Sequence, residues 1–493
     1  MTLDPRAPVV VGVGAVTQHV DNAKDGLDAF ELVALAVERA GADTGAPEVL
    51  SRIDLVAMPR GTWNYRDPGR VLAERFGASS VRTIVAEIGV LQQTMLTRAA
   101  QAIAAGDADV VLVCGVEAKH RALLAAKAGI ELDDPDPSHT DPDEAHEPVG
   151  GLHSILTMTE IERDLAAPTH EYALIESAIA HVEHRTPVEQ NRHVADLWAR
   201  FARVAAENPD AWDRRGLDAD QIGTATRDNR AIATPYTKLL CSQWNVDQAA
   251  AIVMVAAETA AALGIASDRQ VFAHSAAESN QMVQLPLRDE IHRWPAFETV
   301  VAALGLPGDE ATRPTIVDLY SCFPAAVQVQ TRALGYPLDA PLTVSGGMTF
   351  GGGPLNHSAL QAMVPFIGRL RAAPDERGLI TSVSGMLTKP GASLWSATPP
   401  GPAGFESWDV TAEATTATVI HPLLPNAVGP ATIAAHTVVH DGGVPARAVA
   451  VLDVDGGRTI ARCSEPDVLS ALTESDWVGR PVTVVVPGAF VVD

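Results

Sequence analysis

Cysteine is scarce. The 493 residues hold only Cys114, Cys241, Cys322 and Cys463, far apart and without CxxC or His/Cys ligand spacing, so neither a disulfide framework nor a zinc site is indicated. Basic residues are also few: 36 Lys and Arg stand against 61 Asp and Glu, a net charge of −25. Such a surface repels phosphate backbones and argues against nucleic acid as a partner. No apolar run reaches the roughly 20 residues of a membrane-spanning helix. Met1 to Pro8 lacks the basic and apolar regions of a secretory signal, so a cytoplasmic location is expected. With 47% hydrophobic and 20% charged residues the chain has an ordinary globular mix, long enough for two or three domains.

Buried-strand and helix patterns alternate from the start. Pro8 to Gly14, Ile53 to Met58 and Asp109 to Gly115 are continuous apolar runs, and Asp28 to Ala40 and Val90 to Ala105 have helical spacing. Strands that are apolar along their whole length, separated by helices, predict α/β layers around a buried sheet. Gly12-Val13-Gly14 lacks the third glycine of a dinucleotide turn, Thr17 standing in its place. Glu131 to Glu147 carries eight carboxylates and no Lys or Arg, which reads as a solvated acidic loop. Helical segments at 171–184 and 188–207 predict an all-helical insertion over about 117–236. A second α/β stretch holds Thr315 to Leu319, a helix over Pro324 to Leu334, and Leu379 to Val383. Thr398 to Gly404 is rich in Pro and Gly, and short strand-like runs follow, including Thr415 to Ile420, Ala431 to His440 and Pro481 to Val486. The expected organisation is an N-terminal half over 1–270 including the insertion, a C-terminal half over 271–397, a linker over 398–408, and a β-rich domain over 409–493.

Five segments in fixed order carry a resemblance: Ala99–Ala118 (AAQAIAAGDADVVLVCGVEA), Val246–Ala251, Tyr320-Ser321-Cys322-Phe323, Gly351-Gly352-Gly353-Pro354, and Thr388–Ser396. Together they resemble the thiolase superfamily, specifically its lipid-transfer (sterol-carrier) thiolase-like branch, over residues 8 to 396. The resemblance implies an α/β thiolase fold of two βαβαβαββ halves in five layers, with a loop-domain insertion. The C-terminal region resembles the OB-type barrels that accompany related lyases, without their four-cysteine zinc ribbon. The family label would be acetyl-CoA acetyltransferase, an acyltransferase of lipid metabolism, with no cofactor beyond a coenzyme A thioester as ligand or substrate.

An ordinary thiolase needs a cysteine at a helix N-terminus, a histidine to activate it, a second acid/base and oxyanion donors. Here the nucleophile place falls on Gly89, the histidine place on Gly353, and the last loop offers Ser384 and Pro390 without cysteine or histidine. Tyr320 is the candidate for proton transfer, since related retro-aldolases carry Tyr-Asp-Cys-Phe where this chain has Ser321 for the Asp. His357 is a second catalytic candidate, able to swing into the vacated place. Gly351 and Gly352 are candidates to offer amides to a thioester or pantetheine, and Arg227, Arg230 and Lys238 to meet CoA phosphates; Lys389 faces either the site or solvent. The expectation is an acyl-CoA or lipid-thioester-binding protein with degenerate chemistry. The alternatives are a retro-aldol lyase on a β-hydroxyacyl-CoA using Tyr320, or a non-catalytic scaffold or partner subunit, assembled as a homodimer or through the β domain.

Overall fold

The structure is a computed structural model, and it describes residues 3–138, 147–150, 155–308 and 312–492. The first half runs β1 (Pro8–Thr17), α1 (Ala29–Asp43), β2 (Leu55–Pro59), α2 (Pro68–Arg75), β3 (Arg82–Ala86), α3 (Gln92–Ala105), β4 (Val110–Ala118), α4 (Lys119–Ala128) and β5 (Glu147–Val149). The insertion supplies α5 (Met158–Glu162), α6 (Pro168–Val182), α7 (Pro187–Glu207), α8 (Ala219–Gly223), β6 (Ala231–Ala233) and β7 (Tyr236–Thr237). β8 (Asp247–Ala256) and α9 (Ala257–Ala262) close the half. The second half comprises β9 (Val271–Glu278), α10 (Pro295–Ala303), β10 (Ile316–Asp318), α11 (Pro324–Leu334), α12 (Ser358–Ala372), β11 (Arg377–Ser384) and β12 (Lys389–Ser396). Then follow β13 (Glu406–Asp409), α13 (Thr411–Ala417), β14 (Gly429–Asp441), β15 (Val444–Val454), β16 (Gly457–Cys463), α14 (Pro466–Glu474), β17 (Pro481–Val486) and β18 (Ala489–Val491).

The long sheet has the order β10-β11-β12-β9-β1-β8-β4-β2-β3-β5, with β13 also on β9. Its two halves repeat one pattern, β3-β2-β4-β8-β1 and, with one strand fewer among the described residues, β10-β11-β12-β9, joined where Val9 and Val10 of β1 meet Phe272 and Val271 of β9. The continuous apolar runs follow from this layering. β8 is buried at every residue because helices cover both faces of its sheet. α3 and α12 share one apolar core with strands of both halves, α1 and α2 pack on the first half, and α10 and α11 on the second. The result is the five-layered α/β fold expected. Gly12 and Gly14 belong to this packing and form no nucleotide turn: a Cβ on either would lie 2.2 or 2.3 Å from the Ala40 or Ala36 carbonyl oxygen of α1.

The C-terminal strands form a ring, β14-β15-β16-β18-β17 and back to β14, with its own apolar core around Val438, Leu452 and Phe490. Three local expectations are corrected here. The insertion is not all helical, since β6 pairs with β14 and extends the barrel's sheet. Thr415 to Ile420 begins in helix α13, where the threonine hydroxyls are accommodated by bonding back to carbonyls four residues earlier. The end of the expected linker forms β13 on β9. The barrel is docked by charge and backbone contacts: Asp164 accepts from Arg447 (3.0 Å) and Arg462 (2.8 Å), and Arg163 donates to the carbonyls of Ile460 (2.5 Å) and Pro425 (3.0 Å). Part of the acidic loop is likewise tied down: Asp134 pairs with Arg121 (2.5 Å) and Asp136 with Arg66 (3.0 Å), while 139–146 lie outside the described residues.

Candidate functional site

The N-termini of the two central helices are cross-linked. Gln92, the first residue of α3, donates from Nε2 to Ser358 Oγ (3.3 Å) and accepts the Ala359 N–H of α12 (2.5 Å). Beside this link opens a cavity of about 450 Å³. Its wall takes Ile155 and Tyr172 from the insertion, Trp244 from the approach to β8, Tyr320 and Cys322 from the loop after β10, and Ser384 from the end of β11. Among the described residues, no Asp, Glu, Lys, Arg or His lines it. A wall without charge excludes ligands whose buried part is ionised and suits a neutral chain.

Gly89 forms part of this wall with φ +102°, and a Cβ built on it would meet nothing within 4 Å. The place implied for a nucleophile is therefore open space above a bare backbone. The Gly89 carbonyl accepts from Ser384 Oγ (2.8 Å) and from Lys389 Nζ (3.1 Å). Lys389 is buried, not solvent-facing, and desolvation lowers its pKa; it borders a second, polar cavity of about 400 Å³ that also touches Gly89, Thr94 and Glu278.

Tyr320 is held by its backbone. Its N–H donates to Thr381 Oγ1 (2.8 Å), its carbonyl accepts from Gln330 Nε2 (2.8 Å), and Thr381 donates on to Gln330 Oε1 (2.6 Å). Its ring faces the cavity beside Cys322 and Tyr172. Burial pushes both phenols well above their ordinary value of 10 and the Cys322 thiol up to about 12, so all three stay protonated at neutral pH. Ser321 is buried and faces away from this set, accepting the Met348 N–H (3.1 Å).

Several expected site residues lie elsewhere. His357 is 1% exposed, wedged against Gly115 and absent from the cavity wall; burial lowers its pKa to about 3. It is a core residue, because Gly115 leaves just enough room for the ring. Gly351 and Gly352 also miss the cavity. Gly352 has φ +106° and a Cβ there would lie 2.1 Å from Gln248 Oε1, while the Gly351 carbonyl accepts from Gln248 Nε2 (2.9 Å). Their smallness serves packing on Gln248. Gly353 does line the cavity, as does Ser384; Pro390 does not, its carbonyl accepting the Ser279 N–H (2.9 Å). Arg227, Arg230 and Lys238 are exposed and line no part of the cavity; Arg230 sits beside Gly443 at the β14–β15 turn. A cation reaches the cavity edge at Lys119, whose ammonium lies 3.2 Å from the ring centroid of Trp244, a cavity-lining side chain 49% exposed.

Tyr172, Trp244 and Glu278 escape a reading of the sequence. Tyr172 has the spacing of a core residue on α6, and only the folding of the insertion over the loop after β10 brings it to Cys322. Among the described residues no cluster of three metal-ligating side chains exists, and no helix is long and apolar enough to cross a membrane.

No protein-family model matches the chain, and no curated protein matches it. Solved structures do. A monomeric SCP2-thiolase-like protein type 1 from Mycobacterium smegmatis superposes with a TM-score of 0.82 and 27% identity, covering 100% of both chains. The dimeric peroxisomal thiolase of Saccharomyces cerevisiae (TM-score 0.55, 14% identity) and an Ltp2–ChsH2(DUF35) aldolase (TM-score 0.55, 20% identity) each cover 80% of this chain and 98% of their own, and they share the fold.

Proposed function

We propose a function from one premise: the chain belongs to the thiolase superfamily, in its sterol-carrier (SCP2) thiolase-like branch, and its cavity holds the acyl end of an acyl-CoA or lipid thioester without forming an acyl-enzyme. The observation that carries this is the uncharged cavity of about 450 Å³ with bare Gly89 at its wall. A thioester and its acyl chain are neutral and fit such a wall; the CoA phosphates stay outside, at an edge marked by Lys119 and Trp244. Covalent catalysis needs a nucleophile and a base in hydrogen-bond reach. Cys322, with its thiol near 12, is a poor one, and no histidine lines the wall among the described residues. The acetyltransferase label therefore describes ancestry and not this chain's chemistry.

The second reading, a retro-aldol lyase on a β-hydroxyacyl thioester, is favoured by Tyr320 and Tyr172 in the wall. It requires a base for the β-hydroxyl. A phenol with pKa above 10 is ionised in fewer than about one molecule in a thousand at pH 7, which places this reading behind binding. The five-stranded ring with α14 between β16 and β17 supports the OB-type reading of the C-terminal region. We assign any assembly to that barrel, since the long sheet ends in the three-residue strands β5 and β10 and offers little edge to a second copy.

The test is titration calorimetry with hexanoyl-CoA, joined to intact-mass measurement after incubation. Binding with no added acyl mass, and no thiolysis of acetoacetyl-CoA, is expected. Absence of binding, or an acyl adduct on the protein, would overturn the reading.

A further inference from the structure

Lysine is rare in this chain, which has five: Lys24, Lys119, Lys127, Lys238 and Lys389. The first four are exposed or half-buried, whereas Lys389, which opens β12, is 5% exposed. Among the described residues Lys389 forms no ion pair, and its Nζ donates to the Gly89 carbonyl (3.1 Å). A buried ammonium without a carboxylate against it is costly, and desolvation favours the neutral amine. An amine that donates one N–H to a carbonyl keeps its lone pair, and a desolvated lysine of this kind is a nucleophile toward carbonyl carbon. Lys389 borders the polar cavity of about 400 Å³, whose rim carries the exposed Trp408 and Asp409. Glu278 borders the same cavity. Gly391 of β12 pairs with Glu278 of β9, so Lys389, two residues before Gly391, is a diagonal neighbour of Glu278 on one face of the sheet. With its pKa at about 7, the Glu278 carboxyl is present in both forms near neutral pH, which suits a group that must give and take a proton.

We propose that Lys389 and Glu278 make the polar cavity a carbonyl-capture site, in which a small polar aldehyde or ketone forms an imine with Lys389 Nζ. The Nζ lone pair forms the bond to the carbonyl carbon, and the C=O π pair moves to the oxygen. The oxygen takes a proton from the Glu278 carboxyl, and the carboxylate so formed takes one from Nζ, which leaves a carbinolamine. The C–O bond then breaks as the Nζ lone pair closes the C=N bond. Glu278 again protonates the departing oxygen and recovers a proton from Nζ. Amine and carbonyl thus become imine and water, with the carboxyl restored and nothing oxidised or reduced. Thr94, Asn280 and Ser407 in the wall offer hydrogen bonds to a polar chain. The site is separate from the acyl cavity, with which it shares only Gly89.

The experiment incubates full-length wild type, Lys389→Met and Glu278→Gln with 4-hydroxybutan-2-one at about pH 6.5. Sodium cyanoborohydride is present in excess, so that imine formation sets the rate. Reduction leaves a stable secondary amine on whichever lysine formed the imine, and intact mass with peptide mapping reads it. Lys389 of wild type should be alkylated at least about 10-fold faster than Lys24, Lys119, Lys127 or Lys238, because an ordinary ammonium of pKa about 10.4 offers almost no neutral amine at that pH. Glu278→Gln keeps the shape of the wall and should slow alkylation of Lys389 by about 100-fold, the low end of general acid–base help. Lys389→Met should lose this label and keep only the slow background at the other lysines. Alkylation of Lys389 no faster than of the other four, or a label that goes first to Lys119, overturns the site. Equal rates in wild type and Glu278→Gln overturn the role of the carboxyl. Mapping on wild type decides the site by itself if a variant fails to fold, and no outcome depends on acyl-CoA binding in the first cavity.

Discussion

Glu278, at the end of β9, offers a quantitative check on the second cavity. Thr94 Oγ1 donates to its Oε1 (2.9 Å), while Oε2 is buried without a partner. Desolvation, with Asp409 nearby, raises its pKa from 4.5 to about 7. A raised carboxyl pKa means the folded state favours the protonated form. Its contribution to stability is fully present below pH 4.5 and is lost as pH rises through 7. Each pH unit of displacement is worth about 1.4 kcal/mol, so the charged carboxylate costs the fold about 3 kcal/mol at pH 8. Glu278→Gln keeps the shape and never ionises. Urea unfolding should find the variant more stable by about 3 kcal/mol at pH 8 and by less than about 1 kcal/mol at pH 5. An equal difference at both pH values, or a more stable wild type at pH 8, would refute the reasoning.

Lys389 gives the opposite sign. Its depressed pKa penalises the charged form, so Lys389→Met should raise the melting temperature relative to wild type more at pH 6 than at pH 10; an equal effect at both pH values would place the ammonium in solvent. Two glycines should separate by cause. Gly89→Ala meets open space and only backbone strain at φ +102°, about 1–2 kcal/mol in denaturant unfolding, whereas Gly352→Ala adds a clash with Gln248 and should cost more. Gly89→Cys places a thiol at the head of α3, yet should gain no acyl mass from acyl-CoA, because among the described residues no histidine lines the cavity; an adduct would show the rest of the machinery is present.

The layers of the fold were readable because burial leaves a strong mark: Pro324 to Leu334 is a helix at the expected residues, and β4 carries the Asp109 to Gly115 run on to Ala118. The boundary errors arose where local pattern competes with tertiary partners. Thr415 to Ile420 has strand-like threonines that instead bond within a helix, and β6 joins the barrel through its pairing with β14, some 200 residues away. Site residues divided the same way. Tyr320, Gly89 and Ser384 sit in the cavity wall because segments flanking the central elements carry them there. His357 is two residues from wall residue Leu355 and still turns into the core, since side-chain direction depends on the space left by Gly115. Arg227, Arg230 and Lys238 stand out only by regional charge, which says nothing about distance to a cavity; Lys119 and Trp244 meet from positions 125 residues apart.

The central claim concerns where the acyl chain lies and how it is held. A crystal structure of the protein with hexanoyl-CoA tests it most directly. The account predicts continuous acyl density in the cavity between Gly89 and Tyr320, the nucleotide outside near Trp244, and no bond from the thioester carbon to any side chain. Density for the acyl chain elsewhere, or a covalent bond to Cys322, Ser384 or Lys389, would contradict it.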